Sequence, residues 1–148
     1  ITPERLHLTL LFIGEVTEKQ AELISHSLFN VKINKFSINI DHIGLFYKYN
    51  QIIIWAGCEK ECKIFNLRNE VHGYITPIIS IKNNEQYFTP HITLGTINDV
   101  NEELARTIIS SYSTFFQEKV LVDSFSLFSS NIYNNTSIYC QESSYNLQ

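Results

Sequence analysis

Two short segments carry residues able to move protons at matched spacing. "HLTLLFIGE" begins at His7 and "HITLGTIND" at His91, so the pattern His-apolar-Thr-Leu is written twice. On an extended chain, His and Thr two positions apart share one face at about 7 Å, and the apolar residue between them faces the other way. A four-position match has odds on the order of 10⁻⁴ per site at ordinary residue usage, so two copies in one short chain argue against accident. The pairs His7/Thr9 and His91/Thr93 together offer two imidazoles and two hydroxyls, with no carboxylate among them. Two histidines on opposite sides of a phosphorus suit in-line phosphoryl transfer. One, neutral, takes the proton of the attacking oxygen; the other, protonated, gives a proton to the leaving oxygen. Each threonine can hydrogen-bond a non-bridging oxygen as charge builds on it. A phosphate already activated by ring strain, such as a five-membered 2′,3′-cyclic phosphate, needs neither metal nor cofactor for this chemistry.

The elements that must position these residues can be read from periodicity. Between Leu6 and Ile13 the residues alternate, with His7, Thr9 and Leu11 on one face and Leu8, Leu10 and Phe12 on the other, which predicts a strand ended by Gly14. Thr17 and Gln20 form a capping box, followed by Ala21, Ile24 and Leu28 at helical spacing. Lys35–Phe46 reads as a strand, and after a polar turn near "YKYN" the run "QIIIWAGC", Gln51–Cys58, is its buried hairpin partner. A second helix fits Lys60–Tyr74, with Ile64, Leu67, Val71 and Ile75 on one side and Gly73 near its end as a stop. "YFTPHITLGTI" is the second motif strand; Asn98 or Asp99 then caps a third helix whose Leu104, Ile108 and Tyr112 share a side. Two last strands, Glu118–Phe128 and Tyr133–Cys140, are joined by the turn signal "SSN". The order β-α-β-β-α-β-α-β-β contains β-α-β-β twice. It predicts an α+β, bilobal fold of two pseudo-symmetric lobes whose antiparallel sheets flank a central cleft. A pseudo-twofold between the lobes would bring both His-x-Thr pairs to that cleft.

Bulk properties bound the function. A chain of 148 residues is one domain, 1–148, by length, and 44% apolar with 18% charged residues is a globular composition. No run approaches the ~20 apolar residues of a membrane span, and no signal peptide is visible. Three cysteines, Cys58, Cys62 and Cys140, form no disulfide framework and indicate a reducing, cytoplasmic setting. The Cys58/Cys62 spacing lacks the partner pair of a zinc site. A net charge of −4 speaks against the basic stripe of a long-duplex nucleic-acid binder. The chain opens on Ile1 and contains no methionine. His26 and His72 fall on predicted helices and read as surface or satisfied side chains. His42 lies on a strand beside Asp41 and could approach the cleft. Tyr47, Tyr49, Tyr87 and Phe88 flank the motif segments; Tyr87, reached by counting back in twos from His91, is the better candidate to stack on a nucleobase.

With these residues in view, the chain resembles the two-histidine phosphoesterases, and within them the RNA 2′,3′-cyclic phosphodiesterases known as 2′-5′ RNA ligases. "PERLHLTLLFIGEV" is similar to the family's first motif segment and "YFTPHITLGTI" to its second, while "GLF" (Gly44 to Phe46) and "IIWAG" (Ile53 to Gly57) resemble its middle hairpin. The resemblance implies a catalytic set of His7, Thr9, His91 and Thr93, with His91 as base and His7 as acid, opening a cyclic phosphate to a 2′-phosphate. Tyr87, Phe46 and Leu11 are the positions expected to touch substrate. The implied partners are RNA 3′ ends or small cyclic nucleotides, with no membrane, no obligate protein partner and a monomeric state. The family commonly carries an arginine five residues before the second motif histidine and often another five after it, and a basic residue after the first His-x-Thr-Leu. Here those positions are Gln86, Thr96 and Leu11. The family also has a strand and helix ahead of its first motif, absent from this sequence. The loss of positive charge keeps a second reading alive, a nucleotide- or RNA-end-binding module with little turnover. An adaptor role would require both motifs to be accidental.

Overall fold

The structure is a computed structural model that describes residues 2–59, 63–81, 88–98, 100–112, 117–133 and 136–148. Among the described residues there are three α-helices, α1 (Glu18–Leu28), α2 (Ile64–Ile75) and α3 (Glu102–Tyr112), and six strands. The strands are β1 (Phe36–Lys48), β2 (Gln51–Cys58), β3 (His91–Asn98), β4 (Glu118–Val122), β5 (Ser124–Tyr133) and β6 (Thr136–Asn146). The fold is α+β with antiparallel sheets, as expected. A four-stranded sheet has the order β3-β2-β1-β4, and β5 and β6 form a two-stranded sheet of their own. Among the described residues, no helix is long and apolar enough to cross a membrane.

The chain divides into two compact units, each assembled from three separate segments. The first comprises Ile1–Leu10, Ser37–Ile64 and Asn84–Val120; the second Leu11–Phe36, Phe65–Asn83 and Leu121–Gln148. Both His-x-Thr motifs belong to the first unit. The β-α-β-β repeat of the sequence therefore does not map one copy onto each unit. Its β1–β2 hairpin pairs with β3 from the second copy, through the β2–β3 ladder.

The first unit is built on that ladder. Strand β2 is central and reads as a nearly continuous apolar run; Ile52, Ile54, Trp55, Ala56 and Cys58 are all buried. On α3, Asn101 Oδ1 accepts from the Leu104 N–H at 3.0 Å and caps the helix. The cap thus lies beyond the expected Asn98, which ends β3, while Asp99 falls outside the described residues. The buried position of α3 is Ala105, with Leu104 and Tyr112 exposed. Ile108 and Tyr112 nonetheless line an apolar pocket of about 260 Å³ with Ile43, Ile54, Leu94 and Gly95.

The second unit packs α1 and α2 with the β5–β6 hairpin. The capping box at α1 forms as read from the sequence. Thr17 Oγ1 accepts from the Gln20 N–H, and Gln20 Oε1 accepts from the Thr17 N–H. Ile24 and Leu28 of α1, and Leu67, Val71 and Ile75 of α2, are buried as their spacing predicts. Tyr145 of β6 joins them. Its ring stacks on Phe125 at 4.8 Å, meets Phe29 edge-on at 4.8 Å, and its hydroxyl donates to the Ser25 carbonyl at 3.0 Å.

Three local expectations differ from the structure. The alternating segment Leu6–Ile13 is not a strand; it makes one isolated bridge, Leu8 with Ile92, after a 3₁₀ turn at Pro3–Arg5. Alternation describes which side chains face inward, whereas a ladder needs a continuous partner, and only Leu8 has one. Gly73 lies inside α2 and does not end it. "SSN" is inside β5, because pairing with β6 carries it through Ser129, Ser130 and Asn131.

Candidate active site

The bridge between Leu8 and Ile92 organises the candidate site. These are the central apolar residues of the two His-x-Thr motifs, and they pair antiparallel. An antiparallel pair has a local twofold axis between its two residues. Because each partner is flanked by the same residue types, the axis relates His7 to His91 and Thr9 to Thr93. The antiparallel sense of the bridge sets Thr9 on the His91 side and His7 on the Thr93 side of the pair along the two chains.

The two imidazoles are held alike. His7 Nδ1 donates to the Arg5 carbonyl at 2.8 Å, and His91 Nδ1 donates to the Thr89 carbonyl at 2.7 Å. A carbonyl oxygen only accepts, so each bond fixes the proton on Nδ1 in the neutral ring and assigns proton exchange to Nε2. In both motifs the acceptor stands two residues upstream of the histidine. His7 is exposed; His91, Thr9 and Thr93 are half-buried.

An aromatic layer supports His91. The Trp55 ring lies on β2 with Phe46 of β1 stacked on it at 4.8 Å. The His91 ring stands edge-on to Phe46 at 4.9 Å and near Trp55 at 6.1 Å. Two glycines make room for the indole. A Cβ at Gly44, the cross-strand partner of Trp55, would overlap the ring. A Cβ at Gly57 would come within 2.6 Å of Trp55 Cζ3 and 2.5 Å of His42 Nε2. The indole N–H is buried with no acceptor among the described residues, a cost of about 1–3 kcal/mol that close packing of the ring must offset.

Of the residues expected to touch substrate, Phe46 is the one placed against a motif histidine. Leu11 belongs to the second unit and is half-buried there. Tyr87 and Gln86 lie outside the described residues, as does Cys62. Thr96 is exposed on β3. His26 is an ordinary helix-surface histidine whose Nδ1 donates to the Glu22 carbonyl at 2.8 Å. Trp55 was not singled out from sequence as a site residue. Its signal was the pair of glycines within the β1–β2 strand pattern, which mark a close approach by a neighbouring group. Among the described residues, no three His, Cys, Asp or Glu side chains gather as a metal site requires.

The chain is similar to proteins of known family. A family model described as LigT-like phosphoesterase matches residues 2–55 and 63–139. An RNA 2′,3′-cyclic phosphodiesterase of Archaeoglobus fulgidus is 30% identical over 115 residues, 77% of this chain and 64% of that protein. The chain therefore spans a little under two thirds of that relative. One from Thermotoga maritima is 31% identical over 151 residues, 94% of this chain and 74% of that protein. Among solved structures, Escherichia coli LigT in apo form superposes with a TM-score of 0.74 at 21% identity, covering 99% of this chain and 78% of that one. The same protein in complex with 3′-AMP gives 0.72 at 20% identity, with the same coverage. On the family match over most of its length, the chain belongs to the LigT-like phosphoesterases.

Proposed function

We propose that the chain is an RNA 2′,3′-cyclic phosphodiesterase that opens the cyclic phosphate at RNA ends or in small nucleotides by paired histidine catalysis. The observation that carries this reading is the Leu8–Ile92 bridge, which joins the two His-x-Thr motifs at their central residues. A phosphorus on the local axis of that pair has one imidazole on each side. The relatives named RNA 2′,3′-cyclic phosphodiesterase supply the substrate class. The LigT complex with 3′-AMP supports a site of nucleotide size.

In the proposed step, Nε2 of neutral His91 takes a proton from water as its oxygen attacks phosphorus. The bond from phosphorus to the ribose 3′ oxygen breaks, and Nε2–H of protonated His7 gives its proton to that oxygen. The product is a 2′-phosphate and a 3′-hydroxyl. His91 ends protonated and His7 neutral, and exchange with solvent restores both. Thr9 and Thr93 donate to the non-bridging oxygens as negative charge grows on them. Ring strain activates the substrate, so the step requires neither metal nor cofactor. With a ribose 5′-hydroxyl in place of water as the attacking group, the same groups in the same order would form a 2′-5′ linkage, again breaking the bond from phosphorus to the 3′ oxygen. The cysteine content fits a cytoplasmic enzyme, and nothing in the proposed step requires a second subunit.

The test is hydrolysis of adenosine 2′,3′-cyclic phosphate in the presence of EDTA, with the product isomer resolved by chromatography. The reading expects turnover to adenosine 2′-phosphate. Saturable binding without turnover would support instead the end-binding module, the reading favoured by the neutral residues Gln86, Thr96 and Leu11.

A further inference from the structure

A third histidine stands on the same sheet face, outside the paired motifs. His42 of β1 pairs across with Gly57 of β2, and Gly57 pairs in turn with His91 of β3. The three residues form one row across the sheet. With no side chain at Gly57, the row holds a notch between the two imidazoles, and the His42 ring fills part of it. Its Nε2 lies 2.5 Å from where a Cβ at Gly57 would be, and its ring stands edge-on to Trp55 at 5.5 Å.

The orientation of this ring has a built cause. The β1–β2 register slips by one residue between Ile40 and His42, leaving Asp41 as the extra residue of a bulge. In a regular strand, neighbours 41 and 42 would face opposite sides. Here they meet, and Asp41 Oδ1 accepts from His42 Nδ1 at 2.6 Å. The pair is exposed enough, 48% for His42 and 34% for Asp41, that it adds little to stability; what it fixes is direction. Nδ1–H is engaged by the carboxylate, and the Nε2 edge is turned toward Gly57.

We propose that His42, oriented by Asp41, is a substrate-binding residue that contacts the phosphate one nucleotide upstream of the cyclic end. The inference rests on the phosphodiesterase reading above. His42 is two strand spacings, about 10 Å, from His91, beyond reach of the phosphate held between the motif histidines and near the next phosphate along the chain. As an imidazolium it offers an Nε2–H and a positive charge. It is a cation in a sequence whose Gln86, Thr96 and Leu11 carry no charge. The charged groups around the pair are Asp41 itself, Glu59 following β2, and Glu118 and Lys119 of β4, which line a polar pocket with Asp41.

The experiment compares kcat/KM for adenylyl-adenosine 2′,3′-cyclic phosphate with that for adenosine 2′,3′-cyclic phosphate, in the parent and in His42→Gln and Asp41→Asn. The parent should favour the dinucleotide by at least about fivefold near pH 6, mainly through KM. In His42→Gln the ratio should approach one, and Asp41→Asn should lower it partway. A ratio in His42→Gln equal to the parent's would overturn the assignment, as would a parent ratio of one. If the parent hydrolyses neither substrate, the phosphodiesterase reading itself is what fails.

Discussion

Leu8 and Ile92, the central residues of two His-x-Thr motifs far apart in the chain, are paired antiparallel within one compact unit. A sequence repeat paired at its own midpoint has a local twofold at that pair. The proposed acid and base rest on this pairing.

The proton roles give a signed pH prediction. Turnover should follow a bell, because one histidine must be neutral and the other charged. The acidic limb belongs to the base and the alkaline limb to the acid. Residual activity of His91→Ala should therefore lose the acidic limb, and that of His7→Ala the alkaline one. The converse pattern in pH-rate profiles of the two variants would exchange the roles.

The glycines under Trp55 should be intolerant of a methyl group. Gly44→Ala forces the indole off the sheet, and with it Phe46 and the packing behind His91. Equilibrium denaturation should show a loss of about 1–3 kcal/mol, accompanied by reduced turnover. A variant of parental stability would mean that the Trp55 ring does not rest there.

The α1 cap should behave as a purely structural device. Thr17→Ala removes the acceptor for the Gln20 N–H and should cost about 1 kcal/mol in denaturant unfolding. Its kcat at a temperature where it remains folded should match the parent's, since α1 belongs to the second unit. A drop in kcat at full folding would count against that separation.

Few phosphates should be gripped at once. With a net charge of −4, the slope of log affinity against log salt for an RNA of about twenty nucleotides ending in a cyclic phosphate should be shallower than about −4. A steeper slope in a salt titration would reveal a basic surface that the sequence does not suggest.

Where local chemistry settles the outcome, the structure was legible in the sequence. The Thr17/Gln20 capping box, the buried stripe of α2 and the span of β2 all form as read, since each depends on residues within a few positions of one another. What depends on distant partners was not legible. The alternation of Leu6–Ile13 is equally compatible with a laddered strand and with a segment bridged at one residue. The bulge at Asp41 arises from the β1–β2 register, so the contact that aims His42 has no local signature. The cap of α3 fell to Asn101 because β3 continues through Asn98. The four motif residues stand out in the sequence because the pattern recurs; Trp55, a single tryptophan in an apolar run, reads as core.

The measurement that bears most directly on the paired-histidine clamp is the turnover of adenosine 2′,3′-cyclic phosphate by His7→Ala, His91→Ala and the double variant, beside the parent. Each single variant should lose at least about 10²-fold in kcat, and the double variant little more than the worse single, because the two rings act in one step. Either single variant turning over within a few fold of the parent, with its fold intact by circular dichroism, would contradict the clamp.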